Sequence, residues 1–262
     1  MTRALRALPA LLRVGAASIT AYRAEMVVWI LSATLPLVMM ALWDAASREV
    51  ELPGFGPVEV ARYFAVMLVV RQLTGMWLVW EFNHQVRTGS LSPQLLRPLH
   101  PLWWAFAETV AAIPWRMAVL APLMVGLIAW RPEIAWSPAP THLAGFAASL
   151  VLAWSLGWAI QSCFAMLAFW FDEALGAWNA WFFVWGLFGG YLVPLDLMPD
   201  AVGAVARWLP FRATIGAPVE VLLGLAPVGP TLALQTAWLA AFGLLARGMW
   251  RAGVARYGAV GA

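Results

Sequence analysis

The side chains that most often carry out catalysis are few in this sequence and far apart. Its histidines are His84, His100 and His142. Its single cysteine, Cys163, lies in an apolar stretch, where a buried and inert thiol is expected. The chain contains no HExxH, GxSxG or GxGxxG motif. We therefore predict no metal site, no cofactor bound by this chain and no catalytic residue.

The basic residues exclude one further class of enzyme. All 16 of them are arginine, and the sequence contains no lysine. A Walker A loop holds the nucleotide phosphates with a lysine, so this chain does not hydrolyse ATP by that mechanism on its own. We also expect no nucleic-acid partner.

One arginine lies where a charge is costly. Arg71 and Gln72 interrupt the middle of the apolar stretch 63–80. A guanidinium near the centre of a bilayer is expensive on every insertion scale, so Arg71 must face protein or water. Attraction of a substrate and structural pairing explain it equally well from the sequence. Helix-end carbonyls, a hydrated cavity or another subunit would serve as its partner.

The composition indicates the environment of that arginine. The chain has 262 residues, of which 63 % are hydrophobic and 11 % are charged, whereas soluble domains contain about 25 % charged residues. The sequence therefore predicts an all-α integral membrane protein with one transmembrane domain, residues 1–262. Six apolar runs approach the roughly 17–25 residues that cross a bilayer as a helix. The predicted spans are 26–44, 62–82, 109–130, 143–171, 174–195 and 229–247.

Arginine counts predict the orientation of these spans. With the N-terminus inside, ten arginines lie on the cytoplasmic side and five lie outside. The positive-inside rule then places both termini in the cytoplasm. The five outer residues are Arg48, Arg62, Arg131, Arg207 and Arg212. Arg116 lies near the start of the third span, and we expect its side chain to reach the lipid headgroups.

Two segments are predicted to lie beside the bilayer rather than across it. Residues 1–24 place leucines on one helical face and Arg6 and Arg13 on the other, which is typical of an interfacial helix on membrane lipids. A cytosolic helix packed on another domain is the alternative. Prolines repeatedly break the apolar segment 196–228, so we predict two short re-entrant or interfacial helices on the outer face.

The 18 tryptophans have two explanations. Many lie near predicted span ends, as expected for rings at the membrane interface. A second group lies deeper or on one helical flank, where packing is the commoner function but a path for an amphiphilic or aromatic substrate is an alternative. That group consists of Trp154, Trp158, Trp178, Trp181 and Trp185.

A short helix is predicted between the second and third spans, within RTGSLSPQLLRPLHPLWW (87–104). Ser92 followed by proline is typical of a helix start, with the serine as the N-cap, and Pro98 predicts the end. The predicted helix, 91–99, displays two leucines and Arg97. From the spacing, docking into a cytosolic partner and a simple loop anchored by the following tryptophans are equally good explanations.

The same stretch carries a resemblance to a known family. The sequence GSLSPQLLRPLHPL (89–102) is similar to the Gly-x-Leu-x-x-x-Leu-Leu-x-Pro-Leu pattern in a bacterial branch of the permease subunits of type-2 ABC exporters. The matching residues are Gly89, Leu91, Leu95, Leu96, Pro98 and Leu99. The order of elements also resembles that family, with an interfacial helix, six spans, a coupling helix after the second span and broken helices before the sixth.

The resemblance implies partners for this chain. Such permeases pair, as homodimers or as two related permeases, in the bacterial inner membrane, and they bind two copies of a cytosolic ATPase that holds ATP and Mg²⁺. The residues implied in coupling to the ATPase are Ser92, Gln94, Leu95, Leu96, Arg97 and Leu99. Arg71 and Gln72 would line the translocation pathway. Asp172 and Glu173 would make a second cytoplasmic contact.

Two other functions stay open at this point. A channel or secondary transporter would work without an ATPase and would use Arg71 for selectivity or coupling. An integral-membrane lipid enzyme would need polar residues gathered at a membrane face. The candidates for such a cluster are Glu81, Asn83, His84 and Arg87.

Overall fold

The computed structural model describes residues 2–21, 28, 34–171 and 174–257. Within them the chain forms helices and turns and contains no β-strand, so the all-α prediction is confirmed. The α-helices are α1 (Thr2–Ala21), α2 (Thr34–Glu49), α3 (Pro57–Thr74), α4 (Leu78–Arg87), α5 (Ser92–Leu95), α6 (Leu102–Ala111), α7 (Ile113–Trp130), α8 (Pro140–Met166), α9 (Ala174–Phe188), α10 (Asp200–Ala206), α11 (Pro210–Thr214), α12 (Gly216–Leu223) and α13 (Val228–Arg256). Short 3₁₀ turns occupy Pro132–Ile134, Leu167–Phe169 and Leu195–Leu197.

Four helical stretches of the described chain are long and apolar enough to cross a membrane. They are Pro57–Arg87, Leu102–Trp130, Pro140–Phe169 and Val228–Arg256. These stretches overlap the second, third, fourth and sixth predicted spans. The last helix continues to Arg256, past the predicted end at 247. The chain is therefore a multi-pass membrane protein.

The first and fifth predicted spans have a different outcome. Within 26–44, only residue 28 and the residues from Thr34 onward are described, and α2 begins at Thr34. The helix of the fifth predicted span, α9, ends at Phe188 rather than at residue 195. Its 15 residues therefore rise about 22 Å, less than the roughly 30 Å of a hydrocarbon core. The chain turns there because Gly190 has a φ of +83° and the Gly189 carbonyl packs directly against Gly216.

Two of the predicted continuous helices are interrupted. The second span consists of α3 and α4, separated by the non-helical residues 75–77. The third begins earlier than predicted, at Leu102, and its two helices meet at a turn at Ala112. Pro114 follows in the first turn of α7, where a missing backbone N–H is tolerated. The apolar runs thus predict the spans but not their breaks.

Helix α8 lies at the centre of the bundle. It packs against α13, α12, α4 and α3. Small buried residues, including Gly145, Ser149 and Ala153, let these neighbours approach closely. Buried Gln235 of α13 donates hydrogen bonds to the carbonyls of Ser149 (3.1 Å) and Ala213 (2.8 Å). This one side chain therefore ties α13 to both α8 and α11.

The segment before the last span is more divided than predicted. It contains one 3₁₀ turn and the three helices α10, α11 and α12, instead of two short helices. Arg212, predicted on the outer side of the membrane, is buried and forms an ion pair with buried Glu220 at 2.6 Å. The reason is that α11 and α12 fold back on α8 and α9, which encloses both side chains.

Charged residues at the end of α2 and α7 form a surface network. Arg131 contacts Asp44 and Glu133, each at 2.7 Å, and Arg48 contacts Asp44 at 3.0 Å. The hydrogen bond from Arg131 lowers the pKa of the Glu133 carboxyl. Arg62 donates to the Glu133 carbonyl at 2.8 Å. Three of the five arginines predicted on the outer side therefore meet at one end of the bundle.

The N-terminal helix α1 packs along α6. Gly15 lies close to Glu108 and Ala111, and Leu11 is buried, whereas Arg13 is exposed. The described helix ends at Ala21, so residues 22–24 of the predicted interfacial segment lie outside the described chain. The amphipathic pattern here produces a helix whose apolar face rests on the third span.

Candidate functional site

A cavity of about 380 Å³ lies where the break of the second span faces α8 and α9. Pockets of roughly 300–1,000 Å³ with apolar walls and a few polar groups are typical ligand sites. The aromatic residues of the wall are Trp77, Trp80, Trp178, Trp181, Phe182 and Trp185. Both residues predicted to line a pathway, Arg71 and Gln72, are among the residues that line it.

The break at residues 75–77 is held open by two side chains from other helices. A helix that ends leaves carbonyls without backbone partners. Arg116 Nη1 donates to the carbonyls of Gln72 (3.2 Å) and Gly75. Gln161 Nε2 donates to the carbonyl of Met76 at 3.3 Å. The broken span is therefore stabilised by α7 and α8, which flank it.

The side chain of Arg116 lies in a different place from the one that the sequence predicted. Its side chain is 6 % exposed and points to the helix break, not to the lipid headgroups. A cation is favourable at a helix C-terminus, where the carbonyls carry partial negative charge. The broken helix therefore supplies the environment that a headgroup would otherwise provide.

Arg71 lies in the last turn of α3 and is half-buried. Its guanidinium carbon lies 5.8 Å from the ring centroid of Trp185, within the range of a cation–π contact. It also interacts with the buried Tyr191 side chain. No described carboxylate forms an ion pair with it. Of the partners expected from the sequence, a cavity is present.

Gly75 separates the two arginines. A β-carbon at this position would lie 3.0 Å from Arg116 Nη1 and 3.1 Å from Arg71 Nη1. A larger side chain would therefore crowd both guanidinium groups. The glycine has a φ of −65° and a ψ of 136°, which any residue adopts, so the requirement here is space rather than backbone conformation.

The aromatic wall is built from α4 and α9. Trp80 meets Trp178 edge to face at 5.8 Å, and Phe182 stacks on Trp185 at 5.1 Å. Trp185 is fixed by a 2.8 Å hydrogen bond from its indole N–H to Thr214. The buried indole N–H of Trp178 has no hydrogen-bond partner among the described residues. The wall is thus ordered and has one spare donor.

The five deep tryptophans separate into two sets. Trp178, Trp181 and Trp185 line the cavity, and whether a substrate passes them stays a prediction. Trp154 and Trp158 instead stack on each other at 5.6 Å and pack against Phe106 of the third span. The sequence did not separate the sets because helical spacing does not distinguish a cavity wall from helix packing.

The helix between the second and third spans is shorter than the predicted range 91–99. Helix α5 contains only Ser92–Leu95 and ends three residues before Pro98. Ser92 is its first helical residue and not its N-cap; its hydroxyl lies 3.3 Å from that of Tyr257. Gly89, with a φ of +74°, reverses the chain just before the helix. The serine therefore pairs with the residue after α13, which lies too far along the chain to be part of the local capping pattern.

We call residues 89–99 the cytoplasmic turn, after its predicted side of the membrane. It rests on a cluster that includes Phe82, Val86 and Phe169, and Leu91 is fully buried there. Leu95 packs on the same cluster and is half-buried. The tip of the turn differs, because Leu96 is 89 % exposed and Arg97 is also exposed. The tip of the turn thus exposes one apolar and one basic side chain, while its base is packed on the bundle.

The other residues implied in coupling have mixed positions. Gln94 and Leu99 are half-buried. Asp172 and Glu173, the second predicted contact, lie outside the described residues. Whether any of these residues touches an ATPase stays a prediction.

The residues considered for a lipid enzyme differ in exposure. Asn83 is buried, whereas Glu81, His84 and Arg87 are exposed on α4. Glu81 accepts a 2.7 Å hydrogen bond from Gln85, one turn along the same helix. No group of metal-ligating side chains occurs among the residues that the structure describes. Whether the three exposed residues share a site stays a prediction.

The sequence yielded no prediction for two residues of the cavity region, Gln161 and Thr214. It did single out Arg116, but not for its contact with the helix break. Gln161 is polar within a long apolar helix, and this isolated polarity was the available signal. Thr214 lies in the proline-rich segment and had no such signal.

Comparison with known families gives one match. The family model described as ABC-2 family transporter protein matches residues 30–261. Neither the curated proteins nor the solved structures contain a significant match. The matched range includes the cavity, the cytoplasmic turn and all four long apolar stretches.

Proposed function

Because the chain belongs to the ABC-2 family of transporter proteins, we propose that it is the membrane-spanning permease subunit of an ATP-driven exporter in the bacterial inner membrane. Both termini lie in the cytoplasm under this proposal, as the arginine distribution favours. The permease forms the translocation pathway in a dimer with a second copy or a related permease. Two copies of a cytosolic ATPase supply the energy.

The observation that carries this proposal is the tip of the cytoplasmic turn. An 89 % exposed leucine beside an exposed arginine suits insertion into a groove on another protein. The base of the turn packs in a cluster with Phe82 of the second span and Phe169 of the fourth, and Trp250 of the last span packs on both rings. Displacement of the tip by a partner would therefore be transmitted to three spans through this cluster.

The nucleotide belongs to the partner in this proposal. The chain has no lysine for a Walker A loop, so ATP and Mg²⁺ are held by the ATPase subunits. The permease contributes motion of its helices. The break at residues 75–77 lies in the same span as Phe82, only a few residues from the seat of the turn. Displacement of α4 would therefore change the wall of the cavity that Arg71 and Gln72 line.

Replacement of one exposed leucine tests the proposal. The protein is extracted from its native membrane in a mild detergent, purified by an affinity tag, and its partners are identified by mass spectrometry. We expect a Walker-containing ATPase to accompany the wild type and to fall at least tenfold in the Leu96→Asp variant. Leu95 is unsuitable because it packs on the cluster, and its replacement would disturb folding.

The matched control is Val50→Asp, which places the same charge on a 63 % exposed apolar residue beyond α2. This variant should keep the ATPase. Reversal of charge in Arg97→Glu should weaken the association or uncouple ATP hydrolysis from transport. Purification of the wild type alone under several mild detergents would reject the proposal and favour a channel or secondary transporter.

A further inference from the structure

The two arginines at the helix break place two positive charges beside one cavity. Both guanidinium groups flank Gly75, and both line the same cavity. No acidic side chain is among the described residues that line it. Two like charges that share a poorly hydrated space raise each other's electrostatic energy. Arg116 is partly compensated by helix-end carbonyls, whereas Arg71 has an aromatic face but no described carboxylate.

The remaining wall defines what kind of anion would fit. Apolar surface dominates it, and the rings of Trp178, Trp181 and Trp185 cover one side. Neutral hydrogen-bonding groups also line the cavity, including Gln72 and Asn179. A small hydrated ion would leave the aromatic wall unused. A molecule with an acidic head and an apolar body would use both parts.

We propose that this cavity binds an anionic amphiphile, with its carboxylate or phosphate at Arg71 and its apolar body against the tryptophans of α9. The charge-assisted hydrogen bonds of a guanidinium fork suit either acidic group. Arg116 adds a favourable field while it keeps the helix break in place. The inference rests on the proposed function only in treating the ligand as exported cargo, because binding itself requires no ATPase.

Tryptophan quenching measures this binding directly. The probe is 11-bromoundecanoate, whose bromine quenches indole fluorescence on contact, and its methyl ester is the uncharged counterpart. Both are titrated into the purified protein in a neutral detergent. We expect saturable quenching by the carboxylate and at least tenfold weaker quenching by the ester. Equal quenching by the two probes would overturn the proposal, whatever the behaviour of any variant.

Variants locate the acidic head. Arg71→Gln should weaken binding of the carboxylate about tenfold or more, and Arg71→Lys should keep most of it. Arg62→Gln is the matched control, because Arg62 also lies over a tryptophan, Trp136 at 5.7 Å, but belongs to the opposite end of α3. It should bind like the wild type. An unchanged affinity in Arg71→Gln would overturn the assignment of the head to Arg71.

A second measurement distinguishes the sources of such a ligand. Native mass spectrometry of the freshly extracted protein shows whether an acidic phospholipid is retained, and whether Arg71→Gln loses it. Retention by the wild type and loss in the variant identify a membrane lipid. Carboxylate binding without a retained lipid identifies free amphiphilic cargo. Either result can occur with or without a co-purified ATPase, so failure here and failure of the proposed function are separable.

Discussion

Arginines are held in two different ways in two neighbouring regions of this protein. In α11 and α12, Arg212 is 7 % exposed and donates to Glu220 at 2.8 Å, so its charge is matched inside the chain. At the break of the second span, Arg116 is matched by carbonyls and Arg71 faces a cavity. The first region is closed, whereas the second borders a cavity. Burial of a charge alone therefore does not distinguish the two regions, whereas the kind of partner does: a carboxylate in the first, and carbonyls or an aromatic ring in the second.

The largest effect is expected in the closed region. Glu220→Gln leaves a buried guanidinium without its carboxylate and should reduce the free energy of unfolding by about 3–5 kcal/mol. Chemical denaturation in detergent micelles measures this loss. The double variant Arg212→Leu/Glu220→Leu removes both charges and should recover most of the stability. A double variant as unstable as the single one would show that the pair does more than balance its own charges.

A smaller loss is expected where carbonyls are the partner. Arg116→Leu removes the hydrogen bonds to Gln72 and Gly75, and should cost about 2–3 kcal/mol, in the range for hydrogen bonds to a charged group. Hydrogen exchange should rise in residues 72–77, because their carbonyls and neighbouring amides become accessible. Arg116→Lys keeps the charge and should restore part of the protection. Unchanged exchange in Arg116→Leu would mean that the break does not depend on this side chain.

The smallest effect on stability is expected at Arg71. Arg71→Gln should change the free energy of unfolding by less than about 1 kcal/mol, because the side chain is half-buried beside a cavity and has no described ionic partner. The same denaturation experiment compares it with Glu220→Gln. A loss as large as that of Glu220→Gln would place Arg71 in the closed class and remove the basis for a ligand there.

Hydropathy, together with the free-energy cost of a charge in the membrane, predicted much of this architecture. The long apolar runs located four spans, and the expense of a central guanidinium predicted that Arg71 faces protein or water, with a cavity as one of the expected partners. These features depend on local composition or on a single residue. They are accordingly available in the sequence without knowledge of tertiary contacts.

The features that were missed depend on distant residues. The break after Thr74 is stabilised by Arg116, 41 residues after Gly75, and by Gln161, 85 residues after Met76. The serine expected to cap α5 instead meets Tyr257, 165 residues away. Arg212 pairs with Glu220 only because the chain folds back between α11 and α12. Local patterns carry no signal for such pairings.

The connection of the cytoplasmic turn to an ATPase is the central claim, and a photocrosslink tests it most directly. Leu96 is replaced by the photoreactive residue benzoylphenylalanine, intact membranes are irradiated, and the attached protein is identified by mass spectrometry. We predict a crosslink to a Walker-containing ATPase from position 96 and none from the control position Val50, which is 63 % exposed. A crosslink from position 96 to lipid alone, with no protein attached under these conditions, would contradict the account.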